Sequence, residues 1–452
     1  MITRDHLGIA HVSAPDETTA FVAQGYCAAA DRFWQMEYDR LKAAGRWSEV
    51  VGTAGVREDT FFRRIGIEAA ARRDWEGLSA QTKAMTEAYA QGVNRWLDEH
   101  GHSLPTEFDH HPFAPAPWEA WHCSAVYKVR HVFMGTFMRK LWRGAVLRAA
   151  GPAVTAAMKG DPGTGTPMIP ATGPVIDLLD GAAAALAAGV DDIAGIPDTD
   201  GASNSWAVHG SRTASGLPLL AGDPHRGIEF PNVYLQFHMA CDAFDVIGLS
   251  FPGVPGFAHF GHNADVAWCI THAMCDDTDV FVEAPGAITD RSVELIAVRD
   301  AEPVAVTTGR SPRGPFVLGD LEGDGSVLCT NWTGLTDDTT FECLRPMLTA
   351  TDCDGLEEAV RHWVIPANNL LTADTSGNIS FKIRGRIIER PSANRWIPVP
   401  GDAAHAWDSL TEVAHEDLQH WRNPDRGFLV TANNRVSDDG PYISLDFAGP
   451  SR

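Results

Sequence analysis

Basic residues are scarce. Lys and Arg total 36 against 59 Asp and Glu, a formal net charge of −23, so the cationic surface that a phosphate backbone requires is lacking and nucleic acid is excluded as a partner. The eight cysteines include no CxxC pair, which argues against a zinc ribbon and a small disulfide framework. No apolar run approaches the roughly 20 residues of a bilayer-spanning helix; the longest, Gly181 to Val190, reads as a small-residue helix. The chain opens Met-Ile-Thr-Arg-Asp-His, without a charged segment followed by an apolar one. The expectation is therefore no membrane partner and a cytoplasmic location as written, periplasmic or secreted if the N-terminus is truncated. Short catalytic signatures are lacking as well: there is no HExxH, no GxSxG and no GxGxxG after a strand, and the glycine-rich GDPGTGTP at 160–167 has no P-loop lysine.

What is present is a globular composition, 452 residues with 44% hydrophobic and 21% charged, enough for a large core. Residues 1–148 read mostly as helices. Phe21, Tyr26, Phe33, Met36 and Leu41 recur at helical spacing behind an Asp16 N-cap, a second helix is expected over Ser79–His100, and a third from Trp118 through Trp142. Residues 149–202, rich in Ala, Gly, Pro, Thr and Asp, read as a linker or spacer pro-segment. Over 203–452 short β-runs alternate with Gly, Pro, Asn and Asp, broken by one helix at Leu356–Trp363. Helices first and strands later predict an α+β fold, with helices covering a mostly antiparallel sheet.

The chemistry centres on Gly201-Ala202-Ser203-Asn204-Ser205-Trp206, where the small-residue segment meets the strand-rich region. A small residue before a serine suits self-cleavage: the Ser203 hydroxyl attacks the Ala202 carbonyl, and hydrolysis of the resulting ester frees a chain that starts with serine. Its α-amine, with an ordinary pKa of about 7.7–8.0, is partly neutral near physiological pH and can take the hydroxyl proton, so nucleophile and base share one residue. Taken alone, Ser-Asn is also ordinary turn chemistry. Asp276, Asp277 and Asp279 form a carboxylate group of the kind that binds calcium when a carbonyl, here Thr278, and a distant acid complete the shell.

The string GASNSWAVHGSRTASGLPLLAGDPH (201–225) resembles the start of the catalytic β-chain in the penicillin acylase family of N-terminal-nucleophile (Ntn) hydrolases, which includes cephalosporin and acyl-homoserine-lactone acylases. Similar strings follow in the family's order: FPGVPGFAHFGHNADVAWCITHAMCDDTDVF (251–281), PANNLLTADTSGNISF (366–381) and GFLVTANNRV (427–436). RDHLGIAHVSA and AQGYCAAADRFWQMEYDRLKAAGRWSEVVG resemble the α-chain opening. The resemblance implies a four-layer αββα core with a helical N-terminal α-chain region, cleavage between Ala202 and Ser203 into α and β chains from one precursor, and a small-molecule N-acyl substrate such as a β-lactam side-chain amide or an N-acyl homoserine lactone.

It also implies roles. Ser203 is the nucleophile and His225 helps orient it; the His272 backbone N–H and the Asn369 side-chain amide hold the oxyanion; Arg390 orders the surrounding polar groups. No cofactor is required for the chemistry. A structural calcium is implied at Asp276, Thr278 and Asp279, although the segment Phe137 to Leu147, where the family's α-chain acid is expected, holds only basic and apolar residues. Phe251, Phe257 and Phe260 offer aromatic surface for an acyl group or else core packing, and Arg226 offers a carboxylate contact or else a solvated charge. Family β-chains usually extend well beyond a point like Pro450-Ser451-Arg452. The alternative reading is thus an incomplete or non-catalytic subunit that needs a separate C-terminal polypeptide. A third, a metal-dependent hydrolase built on His110, His111 and the Asp276 cluster, predicts chelator-sensitive activity that survives Ser203→Ala.

Overall fold

The computed structural model describes residues 1–132, 136–157, 173–193, 202–225, 229–407, 411–434 and 436. The Glu17–Ala43 helix starts where the Asp16 carboxylate accepts the Thr19 N–H at 2.7 Å, and the Ala80–His100 helix where Ser79 caps Thr82. These two helices touch backbone to backbone. A Cβ on Gly25 would stand 2.0 Å from the Tyr89 carbonyl oxygen, and one on Gly92 1.9 Å from that of Val22, so only glycine permits the crossing. The third expected helix is found as His122–His131 and Phe137–Ala157, with 133–135 outside the described residues.

Among the described residues, nine strands form one sheet in the spatial order Ile2–Arg4, Ala10–Ser13, Leu235–Ala240, Asp245–Ser250, Phe260–His262, Val266–His272, Asn368–Asp374, Ile379–Arg384, His420–Arg422. All neighbours are antiparallel except Ala10–Ser13 beside Leu235–Ala240. The N-terminal region is therefore not helical throughout: it donates two strands to the sheet of the later region. The helices cover one face of this sheet, burying Phe21, Phe33, Met36, Tyr89 and Val93 against it. A three-stranded sheet, Phe428–Thr431, Ala202–Val208 and Leu219–His225, stacks on the nine-stranded one, and Ser205 Oγ donates across the gap to the Ile270 carbonyl at 3.2 Å. Helix, sheet, sheet is the order of three layers of an αββα core; the described residues also form a separate six-stranded sheet in the order Thr289–Ile296, Val304–Ser311, Gly314–Leu318, Val327–Trp332, Thr278–Glu283, Val399–Pro400. The outer face of the small sheet shows Trp206, Leu219 and Val430 at 41%, 51% and 53% exposure.

Part of the expected spacer is ordered helix. Gly173–Gly181 and Ala183–Ile193 pack beside the Phe137–Ala157 helix, with Leu179, Ala182, Ala185 and Leu186 buried. The small-residue helix lies where its composition places it, but it joins the core rather than linking two regions. The rest of the spacer, 158–172 and 194–201, lies outside the described residues.

One helix carries a pH liability. His122 is buried between Trp118 and Trp121, and its Nδ1 accepts the Glu119 N–H at 2.8 Å. Burial, aided by the charges of Arg40, Arg72 and Arg46, pushes its pKa from 6.5 down to about 2. A histidine depressed in the folded state contributes stability above its unfolded pKa and loses it as pH falls, by about 1.4 kcal/mol per pH unit. Unfolding by urea between pH 6 and pH 4 should show a falling midpoint in the parent chain and a much flatter one in His122→Phe, which keeps the ring but cannot take up a proton.

Candidate active site

Ser203 is the second residue of the Ala202–Val208 strand. Strand alternation turns Ser203, Ser205 and Ala207 toward the large sheet and Asn204 and Trp206 away from it, leaving Ser203 8% exposed. Its backbone N–H donates to Asn433 Oδ1 at 2.5 Å, and Asn433 Nδ2 donates to the His272 carbonyl at 2.8 Å. One asparagine side chain thus joins the nitrogen of the expected nucleophile to the residue whose N–H is an expected oxyanion donor.

A buried polar seam runs on from there between the two sheets. Asn369 pairs in register with Thr271, and its Nδ2 donates to Thr271 Oγ1 and Thr431 Oγ1, each at 2.9 Å. The two hydroxyls are themselves 2.9 Å apart. Asn369 Oδ1 is buried without a hydrogen-bond partner among the described residues. Amides and hydroxyls at a sheet–sheet contact are costly to bury, which sets this stretch apart from ordinary core packing.

The turn after His272 is held from several sides. His272 Nδ1 accepts the Met274 N–H at 3.1 Å, so the ring is an acceptor on that side, and Met274 takes a left-handed φ of 56°. The Ala273 N–H donates to the Ala367 carbonyl at 3.1 Å, and Arg390 Nη2 to the Asp276 carbonyl at 2.5 Å. Arg390 is buried; it pairs with Asp276 at 2.7 Å and Asp279 at 3.6 Å rather than with Glu389.

The structure brings Ser203, His272 and Asn369 to this seam and places Arg390 behind the turn. It does not bring the His225 ring there. Pairing sets Pro224 opposite Ser203 and His225 opposite Ala202, so alternation sends the ring to the other face of the sheet. There its Nε2 lies 2.7 Å from Asp223 Oδ2, with the side chain 43% exposed. Arg226 lies outside the described residues. Phe251, Phe257 and Phe260 are buried, and Phe251 packs on the rings of Tyr127, His131, Tyr234 and His259, so they serve the core. His110 and His111 are not joined to the Asp276 cluster; His111 stacks on Trp34.

The implied calcium ligands do not fit a metal. Lys140 Nζ lies 2.9 Å from Asp276 Oδ1 and 2.8 Å from Asp279 Oδ1 and donates to the Thr278 carbonyl, which takes up all three expected ligands. Among the described residues no group of three or more His, Cys, Asp or Glu side chains could hold a metal ion. Burial pushes the Asp279 carboxyl up, but Arg390 and Lys140 outweigh it and hold it below its ordinary value.

The Penicillin amidase family model matches residues 1–452. The chain belongs to the penicillin amidase family. The chain is 39% identical to the penicillin acylase 2 proenzyme of Pseudomonas sp. (strain SE83), over 100% of the chain and 61% of that relative. It is 24% identical to the acyl-homoserine lactone acylase QuiP of Pseudomonas fluorescens (strain Pf0-1), over 100% of the chain and 58% of that relative. A solved structure, the thermostable penicillin G acylase from Alcaligenes faecalis, is 21% identical with a TM-score of 0.48, covering 55% of the chain and 47% of that structure. The chain spans about three-fifths of the length of these two curated relatives.

Within this site, Asn433 is a residue that sequence reasoning passed over. The string GFLVTANNRV contains it, yet an Asn-Asn pair after a strand reads as a turn. Asn433 does adopt a left-handed φ of 57°, which asparagine tolerates better than most residues. The signal that was available is a pair of asparagines following a buried strand, at a position from which a short amide can reach the neighbouring sheet.

Proposed function

We propose that the chain is a self-processing N-terminal serine acylase that cleaves the linear amide of an N-acyl small molecule. The observation that carries this reading is the contact of the buried Ser203 nitrogen with Asn433, and through Asn433 with the His272 carbonyl. In maturation the Ser203 hydroxyl adds to the Ala202 carbonyl, the C–N bond breaks, and the departing nitrogen becomes the Ser203 α-amine. Water then hydrolyses the ester and leaves Ala202 with a carboxylate. In turnover the same hydroxyl attacks the substrate amide and passes its proton through the α-amine to the leaving amine. Water releases the acid from the acyl-enzyme. Asn433 Oδ1 positions the α-amine, and the His272 N–H and Asn369 amide are the groups to meet the oxyanion once the threonine contacts of Asn369 rearrange.

A cavity of about 610 Å³, lined by Arg32, Asn232, Tyr234, Leu235, Leu249 and Pro224, touches the strand partner of Ser203, though Ser203 itself does not line it. The names of the relatives support β-lactam side-chain amides and N-acyl homoserine lactones as the compounds to try first. Intact mass spectrometry with N-terminal sequencing, beside a panel of such amides, tests the reading. Two chains are expected, the second beginning Ser-Asn-Ser-Trp, together with release of free acid. An uncleaved chain that is inert toward every amide, alone and with any added polypeptide, refutes it. The exposed Trp206, Leu219 and Val430 favour a second reading, in which a further polypeptide covers the small sheet and completes the enzyme. Full activity of the chain alone excludes that variant.

A further inference from the structure

Asp276 and Asp279 are fully buried, and two ionised carboxylates there require compensation. Lys140, itself completely buried, reaches them from the Phe137–Ala157 helix, more than 130 residues upstream. An ammonium has three protons, and three oxygens receive them: Asp276 Oδ2, Asp279 Oδ1 and the Thr278 carbonyl. The contacts of 3.1 and 2.8 Å to the two carboxylates are charge-assisted hydrogen bonds, longer than the about 2.3–2.6 Å of calcium–oxygen coordination. The remaining carboxylate oxygens are taken too. The Thr136 hydroxyl donates to Asp276 Oδ1 and Arg390 lies 2.7 Å from Asp276 Oδ2, while the Asn394 amide and the Trp407 indole each donate to Asp279 Oδ2 at 2.7 Å. Two negative side chains, Asp276 and Asp279, thus face two positive ones, while the neighbouring Asp277 carboxylate accepts from the Thr278 hydroxyl and the Trp332 indole. A divalent ion has no vacant oxygen to bind unless it expels a buried lysine, and it would leave the cluster with excess positive charge.

We infer that Lys140 is a built-in cation that takes the place of a bound metal at the Asp276–Asp279 cluster, so the chain keeps its fold without calcium. The position the sequence marks as lacking an acid instead supplies the opposite charge. Because Asp276 lies four residues after His272, the same lysine braces the turn that bears the expected oxyanion donor. It does so from a helix that precedes the Ala202–Ser203 bond.

The test does not depend on acylase activity. For the natural chain, elemental analysis after dialysis should find far less than one calcium per chain, and the melting temperature should be the same in calcium, magnesium or chelator. Terbium, which nearby Trp407 and Trp332 would sensitise if it bound among these carboxylates, should give no emission above that of a tryptophan-matched control. In Lys140→Glu the cluster loses its cation and gains a further carboxylate. Its melting temperature should fall sharply without metal, rise saturably with calcium, and be accompanied by terbium emission. Stoichiometric calcium in the natural chain, a melting temperature that calcium raises and chelator lowers, or a Lys140→Glu chain as stable as the parent without metal would each overturn the inference. The natural-chain measurements decide it even where the variant does not fold.

Discussion

Ser203→Ala is expected to remain one uncleaved polypeptide and to hydrolyse no amide, with activity down by about 10⁴-fold or more, as befits loss of a nucleophile that no neighbour replaces. The loss should be uniform across substrates and pH, because the variant removes the attacking oxygen rather than a specificity contact. Failed maturation alone would also silence the protein, and a second measurement separates the two causes. Residues 1–202 co-expressed with a chain that starts at position 203 bypass self-cleavage. With serine at 203 that pair should be active, and with alanine it should form the same complex and stay inert. Ser203 pairs with Pro224 on the inner side of a small sheet, and its side chain is not part of the apolar core, so alanine should leave the unfolding free energy within about 1 kcal/mol of the parent. Residual activity in Ser203→Ala that a chelator abolishes would instead favour metal-dependent hydrolysis.

The long N-terminal helices were legible because capping and periodicity agree: Asp16 and Ser79 open them, and Phe21, Phe33 and Met36, then Met85, Tyr89 and Val93, fall on their buried faces. The strands Ile2–Arg4 and Ala10–Ser13 were not legible. They are three and four residues long, and Ala10–Ser13 finds its parallel partner at Leu235–Ala240, a long-range pairing that no local pattern encodes. Within the stretch expected as a spacer, Gly181 to Val190 is legible as a small-residue helix, whereas the Gly173–Gly181 helix before it is not. At the site, Ser203 stood out because its neighbourhood is a recognisable string. His225 sits two dozen positions along the same string, yet a single step of strand register puts its ring on the far face. Lys140 illustrates a different limit: the sequence shows that an acid is lacking among Phe137 to Leu147, and only the fold shows a cation filling the place the acid would serve.

Asn433 provides the second large expected effect. Its Oδ1 accepts the Ser203 N–H and its Nδ2 grips the His272 carbonyl, so removing the side chain frees both the nitrogen that acts as base and the turn bearing an oxyanion donor. A hydrogen bond to a group that becomes charged contributes about 1.5–3 kcal/mol, which corresponds to a fall in kcat of about 10- to 100-fold with a smaller change in KM. The left-handed backbone at Asn433 decides which variant is informative. Alanine there adds about 1–2 kcal/mol of backbone strain, whereas glycine removes the amide and keeps the conformation. Asn433→Gly and Asn433→Ala should therefore lose the same activity, while only the alanine chain melts markedly earlier. Asn433→Asp separates positioning from mere packing. A carboxylate beside the Ser203 α-amine favours its protonated form, so the rising limb of the kcat–pH profile should move to higher pH by about one unit or more. If Asn433 served only to pack the two sheets, kcat would follow stability across the three variants and that limb would stay where it is in the parent.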